Sequence, residues 1–170
     1  AGPYGSSTSE VGSIAAGGEQ VIEVELIFNQ KGPIAIAASA VAAGELSSDT
    51  DIEVLVRKPE LQAKMSAPSL VYHGSPASYL VQLANSGDAV ARDVVAKIKL
   101  PPQAEVLAKP AGAELVEGYL TWKIEELGIG KSLDFPVQLQ LLQEGENLVE
   151  IVCEGTAGEL ANAAATTQLQ

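Results

Sequence analysis

The stretch Leu133–Leu141 (LDFPVQLQL) has apolar side chains at every second position. In an extended chain this alternation puts the apolar side chains on one face and Asp134, Gln138 and Gln140 on the other. The stretch Val21–Phe28 (VIEVELIF) alternates in the same way, with Ile22, Val24, Leu26 and Phe28 opposite Glu23 and Glu25. Half-buried strands have this pattern. We therefore predict a strand in each stretch.

Two shorter runs, Val94–Leu100 and Leu120–Ile124, alternate in the same manner. Turn-forming residues separate the runs at short intervals, namely Gln30–Pro33, Asn85–Asp88, Pro101–Pro102, Gly128–Gly130 and Gln143–Gly145. We find no stretch with the period of an amphipathic helix. Closely spaced short strands with such turns predict an all-β fold, an antiparallel β-sandwich.

Alanine is common in Ile34–Ala43 and Leu160–Ala165, and alanine favours helix more than any other residue. Each stretch nevertheless follows a turn and lies next to a clear strand in a repeated arrangement. We therefore predict strands for both.

An internal repeat relates the beginning of the chain to its end. The first copy consists of the loop Val11–Gly18, the strand to Phe28, a turn at Gly32, and a hairpin around Ala43–Leu46. The second copy, about 113 residues later, consists of the loop Ile124–Gly130, the strand to Leu141, a turn at Gly145, and a hairpin around Ala157–Leu160. A period of this length is that of one sandwich domain.

The first copy begins partway through its unit. We predict that residues 1–57 supply only the closing strands of a partial repeat, that residues 58–60 are a short linker stiffened by Pro59, and that residues 61–170 form a complete repeat. We expect the apolar face of Val21–Phe28 to be covered by the second domain, by another copy of the chain, or by a segment outside this sequence. The start, Ala1–Gly5, lacks Met and the features of a signal peptide, so we expect a piece of a longer protein.

The composition excludes several classes of function. The chain has 170 residues with 22 acidic and 10 basic side chains, a net charge of -12 that does not suit nucleic acid. One Cys cannot form an internal disulfide, and one His with one Cys is too few for a His/Cys metal site. No apolar run reaches the ~18 residues that cross a bilayer, so we expect no membrane insertion. We expect a soluble, acidic globular protein.

A known family resembles part of this sequence. The run Leu83–Val95 (LANSGDAVARDVV), followed by Leu100-Pro101, resembles the signature of bacterial surface repeats called domain of unknown function 11, in which one strand ends in Asn-x-Gly-Asp and the next in Leu-Pro. Leu120–Ile124 and Leu127–Gly130 are similar to that family's Trp-containing strand and Gly loop. The resemblance covers residues 61–169 fully and 9–56 in part; Lys131 stands where an acidic residue commonly follows the Gly.

The resemblance implies an immunoglobulin-like antiparallel β-sandwich, with one complete domain preceded by the C-terminal strands of another. It brings no agreed catalytic residues. The residues of its first motif also have a direct physical interpretation. Asn85 and Gly87 suit a tight connection that needs positive φ or a side-chain cap, and Asp88 can accept backbone hydrogen bonds.

Candidate catalytic groups are few. His73-Gly74-Ser75 places a base near a hydroxyl, but it lacks the Gly-x-Ser-x-Gly elbow and lies in a loop, so we interpret it as a turn. Glutamates that could act as a glycosidase pair are Glu114, Glu117, Glu125 and Glu126, although such a pair requires a cleft. We predict no enzyme activity and assign no catalytic or cofactor-binding residue.

Asp49, Asp51 and Glu53 recur at every second position and could gather oxygens around calcium. The loop lacks the glycine and the ligand spacing of a calcium-binding loop. Alternation along a strand also places all three on one solvent-facing side. We therefore favour a solvated strand edge, assign no metal site, and leave calcium open.

The aromatic residues and the cysteine have simple structural interpretations. We predict that Trp122 and Phe135 belong to the core rather than to a ligand platform, because of their place in the alternation. Cys153 occupies an inward position on a strand and is expected to act as a small core residue. Tyr72 and Tyr79 could be exposed.

Three functions of different kinds remain open. The first, which we prefer, is a non-catalytic structural or spacer module from a tandem-repeat bacterial extracellular or cell-surface protein, with adhesion as a further role. The second is a protein-binding module that adds a strand at an exposed sheet edge, including a homodimer formed through the incomplete repeat. The third is an accessory domain of an extracellular enzyme. Partners would be other proteins or neighbouring repeats.

Overall fold

The computed structural model describes residues 5–28, 30–156 and 158–170. The regular secondary structure of these residues consists of β-strands. Contacts divide the chain into two units, Ala1–Gln30 and Lys31–Gln170. The strands of the second unit are β1 (Gly32–Ala42), β2 (Leu46–Val56), β3 (Leu61–Ser66), β4 (Leu70–Val71), β5 (Pro76–Asn85), β6 (Ala91–Lys99), β7 (Glu105–Ala108), β8 (Glu114–Val116), β9 (Tyr119–Leu127), β10 (Ser132–Gln140), β11 (Gly145–Gly155) and β12 (Gly158–Leu169).

Two sheets form a sandwich from β3 to β12. One has the order β3-β5-β10-β7 and the other β4-β12-β11-β6-β9-β8. All pairings are antiparallel except that of β4 with β12, which is parallel. The inward side chains of both sheets form one hydrophobic cluster, with Val81, Ile98, Leu120, Leu139 and Ile151 among its most buried members. The predicted all-β, immunoglobulin-like sandwich is confirmed.

The alternation predicted the inner faces of this sandwich correctly. In β6 the buried residues include Val94, Ala96 and Ile98, and in β9 they include Leu120 and Trp122. The two alanine-rich stretches are also strands, as predicted, since residues 34–42 lie in β1 and residues 160–165 lie in β12. Their hydrogen-bonded neighbours outweigh the helix propensity of alanine.

The strands β1 and β2 form a separate two-stranded sheet. They pair in continuous antiparallel register from Gly32 opposite Val56 to Ala42 opposite Leu46. Most of their side chains are exposed, and Ile34 is the buried large residue of this hairpin. Residues 57–60 then connect β2 to β3. The proposed division of the chain at residues 58–60 stays a prediction.

The predicted strand Val21–Phe28 is wrong, because these residues have no strand structure. Ile22, Val24 and Leu26 are exposed in this chain, and the expectation that another copy or a segment outside this sequence covers them stays a prediction. The physical reason is the missing partner. In the second copy, β10 pairs with β5 on one side and β7 on the other. Without a neighbouring strand, the backbone N–H and C=O groups of residues 21–28 have only water as a hydrogen-bond partner.

Candidate functional site: the junction clasp

The loop that follows β5 contacts the connection between the hairpin and the sandwich. We call the loop Asn85–Asp88 and the segment Lys58–Glu60 together the junction clasp. Two backbone hydrogen bonds join its parts: Ser86 N donates to Glu60 O at 2.8 Å, and Asp88 N donates to Lys58 O at 3.2 Å. The connection therefore lies against the sandwich rather than crossing open solvent.

Asn85 is the buried centre of the clasp, with 1% of its surface exposed. Its Oδ1 accepts hydrogen bonds from Glu60 N at 3.2 Å and from Gly87 N at 3.0 Å. Its Nδ2 donates to Ala89 O at 2.8 Å and to Leu127 O at 3.0 Å. A buried amide with all its groups paired fixes geometry, since loss of any one partner leaves a costly unsatisfied group.

Gly87 is required by close packing. A Cβ at this position would lie 2.3 Å from Glu60 N and 2.5 Å from Lys58 O. Gly87 does not have a positive φ, so of the two expected alternatives, positive φ or a side-chain cap, the structure has the cap. The expected side-chain cap is confirmed, because Asn85 accepts the Gly87 amide. Glycine is present because backbone approaches backbone at this point.

Asp88 binds the other end of the connection. Its Oδ1 accepts a hydrogen bond from Lys58 N at 2.8 Å, as predicted for a backbone acceptor. This bond, helped by the positive charges of Lys31 and Arg57 and opposed by desolvation, lowers the pKa of Asp88 below its ordinary value of 3.8. Lys31 also forms an ion pair with Glu60, which raises the pKa of Lys31. Both charges thus favour the closed clasp at neutral pH.

The sequence did not reveal that this motif contacts the connection. The Asn-x-Gly-Asp pattern indicated a tight turn, and turns of that kind usually bond only to themselves. The partners lie 25 and 30 residues away along the chain. The one signal in the sequence is Pro59, which stiffens the segment that the loop binds.

The residues His73, Gly74 and Ser75 form the turn that we predicted between β4 and β5. Ser75 N donates to Tyr72 O at 2.9 Å, and His73 N donates to Gln170 O at 2.7 Å. Gly74 has φ +83°, which suits a glycine in a tight turn. The backbone of this segment thus serves to close the turn.

Asp49, Asp51 and Glu53 lie on one face of β2, as the alternation predicted. They are opposite Ser39, Ala37 and Ala35, and all three acids are exposed. The described part of the chain contains no group of three or more His, Cys, Asp or Glu side chains placed to hold a metal ion.

The glutamates considered as paired carboxylates are Glu114, Glu117, Glu125 and Glu126. Glu114 on β8 lies opposite Thr121 on β9. Glu125 lies four residues further along β9, which at the rise of a strand is about 13 Å from Thr121 and hence far from Glu114. Glu126 instead forms an ion pair with Arg92 at 3.1 Å. The structure therefore does not bring the two pairs of glutamates together.

The predicted core residues Trp122 and Phe135 pack together, with ring centroids 5.2 Å apart. Cys153 is buried as predicted, and desolvation raises its pKa to about 11, so its thiol is protonated at neutral pH. Tyr72 is exposed. Tyr79, which we expected could be exposed, is buried and donates a hydrogen bond to Thr167 Oγ1 at 2.9 Å. Its inward position on β5 explains the difference.

The outer face of the larger sheet has a shallow depression of about 650 Å³ near Tyr119. Lys97 there pairs with Glu154, and Lys99 pairs with Glu150 at 3.7 Å. These exposed ion pairs join β6 to its neighbour β11.

Among the residues with described structure, there is no helix of the length and apolarity that a membrane crossing requires.

The fold defines this chain as an immunoglobulin-like β-sandwich protein. Two solved structures share the fold. The crystal structure of the CARDB domain of the PF1109 protein from Pyrococcus furiosus, in complex with di-metal ions, matches with a TM-score of 0.51 and 15% identity, over 66% of this chain and 89% of that one. The solution NMR structure of the same domain matches with a TM-score of 0.51 and 15% identity, over 67% and 97%. No protein-family model matches the chain.

Proposed function

We propose that this protein is a non-catalytic structural module, one bead of a tandem array in a bacterial extracellular or cell-surface protein of the domain of unknown function 11 type. Its task would be to keep neighbouring domains at a fixed orientation and distance. The observation that supports this proposal is the junction clasp, because its hydrogen bonds hold the connection between the hairpin β1–β2 and the sandwich. A spacer needs stiff connections more than it needs a ligand site.

The contacts of the clasp explain how stiffness would arise. A free linker of a few residues can rotate about every φ and ψ. Here the amides of Lys58 and Glu60 donate to Asp88 and Asn85, and the carbonyls of the same two residues accept amides of the loop. Pro59 between them has a fixed φ. These constraints leave the connection few ways to bend.

Backbone relaxation by NMR on the whole chain tests this proposal. If the clasp is stiff, the amides of β1 and β2 have the rotational correlation time of the amides of β3–β12. The variant Gly87→Ala would push the loop away from Glu60 and let the hairpin move independently. Gly128→Ala is the matched control, because a Cβ there would approach only the flexible side chain of Lys131, at 3.3 Å, and no atom of Lys58–Glu60.

The proposal fails if the hairpin already moves independently in the unchanged chain. It also fails if Gly87→Ala leaves the relaxation of the hairpin as it was while the circular dichroism shows an intact sandwich.

A further inference from the structure

Strand β1 has a free edge. It pairs with β2 along its length, and within the described ranges no strand pairs with its other side. Its counterpart in the second copy of the repeat, β11, lies between β12 and β6. The repeat thus indicates which kind of element β1 would bind, namely a strand in the position of β6.

The register of that strand follows from the repeat. In the sandwich, β6 pairs antiparallel with β11, with Lys99 opposite Glu150. Shifting β11 back by the period of about 113 residues replaces Glu150 with Ala37. A β6-like strand on β1 would therefore place its equivalent of Lys99 opposite Ala37 and its equivalent of Lys97 opposite Ser39.

Acidic side chains lie next to Ala37 and Ser39 on β2, the strand on the other side of β1 from the incoming strand. On β2, Asp51 is opposite Ala37 and Asp49 is opposite Ser39, so each acid shares a face with its small neighbour. Adjacent strands are about 4.8 Å apart, which puts the incoming strand about 10 Å from β2. A lysine side chain can span that gap where the residue between is alanine or serine.

The surface has room for such side chains. A cavity of about 220 Å³ is lined by Ala37, Ala38, Ser39, Asp49, Thr50 and Asp51. In the second copy, by comparison, the lysines of β6 pair with Glu150 and Glu154 of the directly adjacent strand. In the first copy, acids that could pair with lysines at the same positions are Asp49 and Asp51, which lie on β2 and not on β1.

We propose that the free edge of β1, Ala37–Val41, binds a β-strand from another repeat of this type, antiparallel, with Lys or Arg at the positions opposite Ala37 and Ser39. Backbone hydrogen bonds along the edge would supply affinity, and the two acids of β2 would select the basic strand. A second copy of β1 fits less well. Residues 32–44 have no charged side chain to offer Asp49 and Asp51, and the chain carries a net charge of -12. This proposal rests on the tandem-repeat assignment in the proposed function.

The test uses the 170-residue chain and a fluorescent peptide with the sequence of β6, Ala91–Lys99. Binding is followed by fluorescence anisotropy at low ionic strength, and hydrogen exchange locates it. We expect every second amide of Ala37–Val41, those that point away from β2, to become protected. The chain variant Asp49→Lys/Asp51→Lys should bind the peptide about tenfold more weakly, since two attractions become repulsions. A peptide with Lys97→Glu and Lys99→Glu should recover binding to that variant.

Glu144→Lys/Glu146→Lys is the matched control, because both glutamates are exposed and the net charge changes equally. It should bind the β6 peptide as tightly as the unchanged chain. The proposal is overturned if the peptide does not bind, if both peptides bind the unchanged chain equally, or if light scattering shows a dimer in which β1 is already protected. A stiff junction with no peptide binding would retain the proposed function and refute only this inference.

Discussion

Residues 21–28 and 134–141 have corresponding positions in the predicted repeat, but only residues 134–140 form a strand. Val24 and Leu26 are 62% and 49% exposed, whereas the corresponding Val137 and Leu139 are 1% and 0% exposed. Both stretches alternate apolar side chains at every second position. Only the second has neighbours, β5 and β7, with which to form hydrogen bonds. Alternation therefore describes how a strand would be oriented, while the presence of partner strands determines whether it forms.

The largest expected effect compares Leu139→Ala with Leu26→Ala. Leu139 is fully buried, so its truncation should lower the free energy of unfolding by about 2–5 kcal/mol. Leu26 is exposed, and its truncation should change that free energy by no more than about 0.5 kcal/mol. Urea unfolding followed by the fluorescence of the buried Trp122 would measure both. Similar losses for the two variants would mean that residues 21–28 are packed in solution.

The turns behave differently from the strands. The loop of the first copy has a hydrogen bond from Gly18 N to Ala15 O at 2.8 Å, and the second has the corresponding bond from Lys131 N to Gly128 O at 3.2 Å. The glycine inside each turn has a positive φ, +74° at Gly17 and +67° at Gly130. A turn closes on its own residues, so it forms in both copies although only one copy has a sandwich around it.

Local and non-local contacts explain which predictions succeeded. The turn at His73–Ser75 could be predicted because a short pattern determines it. The inner faces of the sandwich strands could be predicted because alternation sets which side chains are buried once partner strands are present. The failure at Val21–Phe28 and the contacts of Asn85 depend on residues far along the chain, or on their absence. A single sequence shows that Asn85 suits a turn, but it does not show that the side chain binds Glu60. The burial of Tyr79 could have been predicted from its alternation with Val81 and Leu83.

A second pair of variants, Gly17→Ala and Gly130→Ala, compares the corresponding turns of the two copies. A Cβ would meet no atom within 4 Å at either Gly17 or Gly130, so the substitution acts only through backbone strain. Gly130→Ala should lower the free energy of unfolding by about 1–2 kcal/mol, because the left-handed conformation disfavours a side chain. The turn there is also bonded to the sandwich, since Gly130 N donates to Asn85 O at 2.9 Å.

Gly17→Ala should leave the unfolding transition of the sandwich unchanged, since the turn at Gly17 belongs to the other unit of the chain. Thermal unfolding of both variants, followed by near-ultraviolet circular dichroism, measures the difference. If Gly17→Ala lowered the unfolding temperature as much as Gly130→Ala does, residues 1–30 would unfold together with the sandwich. That result would contradict the expectation that the turn at Gly17 is independent of the sandwich.

The smallest expected effect is a pH dependence confined to one half of the junction clasp. The Lys58 amide donates to the titratable Asp88, and the Glu60 amide donates to Asn85, which does not titrate. Because the folded-state pKa of Asp88 is lowered below 3.8, its contribution to stability is present above pH 3.8 and is lost as the pH falls through that lower pKa. Neutral and mildly acidic solutions should therefore leave the clasp closed.

Amide chemical shifts during an acid titration would check that the pKa of Asp88 is lowered and not raised. The Lys58 amide should shift with a midpoint below 3.8. In Asp88→Asn the side-chain oxygen can still accept the bond, so the Lys58 amide should keep its neutral-pH position and lose its titration. A midpoint at or above 3.8, or the same titration in Asp88→Asn, would place the acid-sensitive group elsewhere. Because Asp88→Asn keeps an oxygen for the Lys58 amide and removes the charge, its comparison with the unchanged chain separates the charge of Asp88 from any general loosening of the connection.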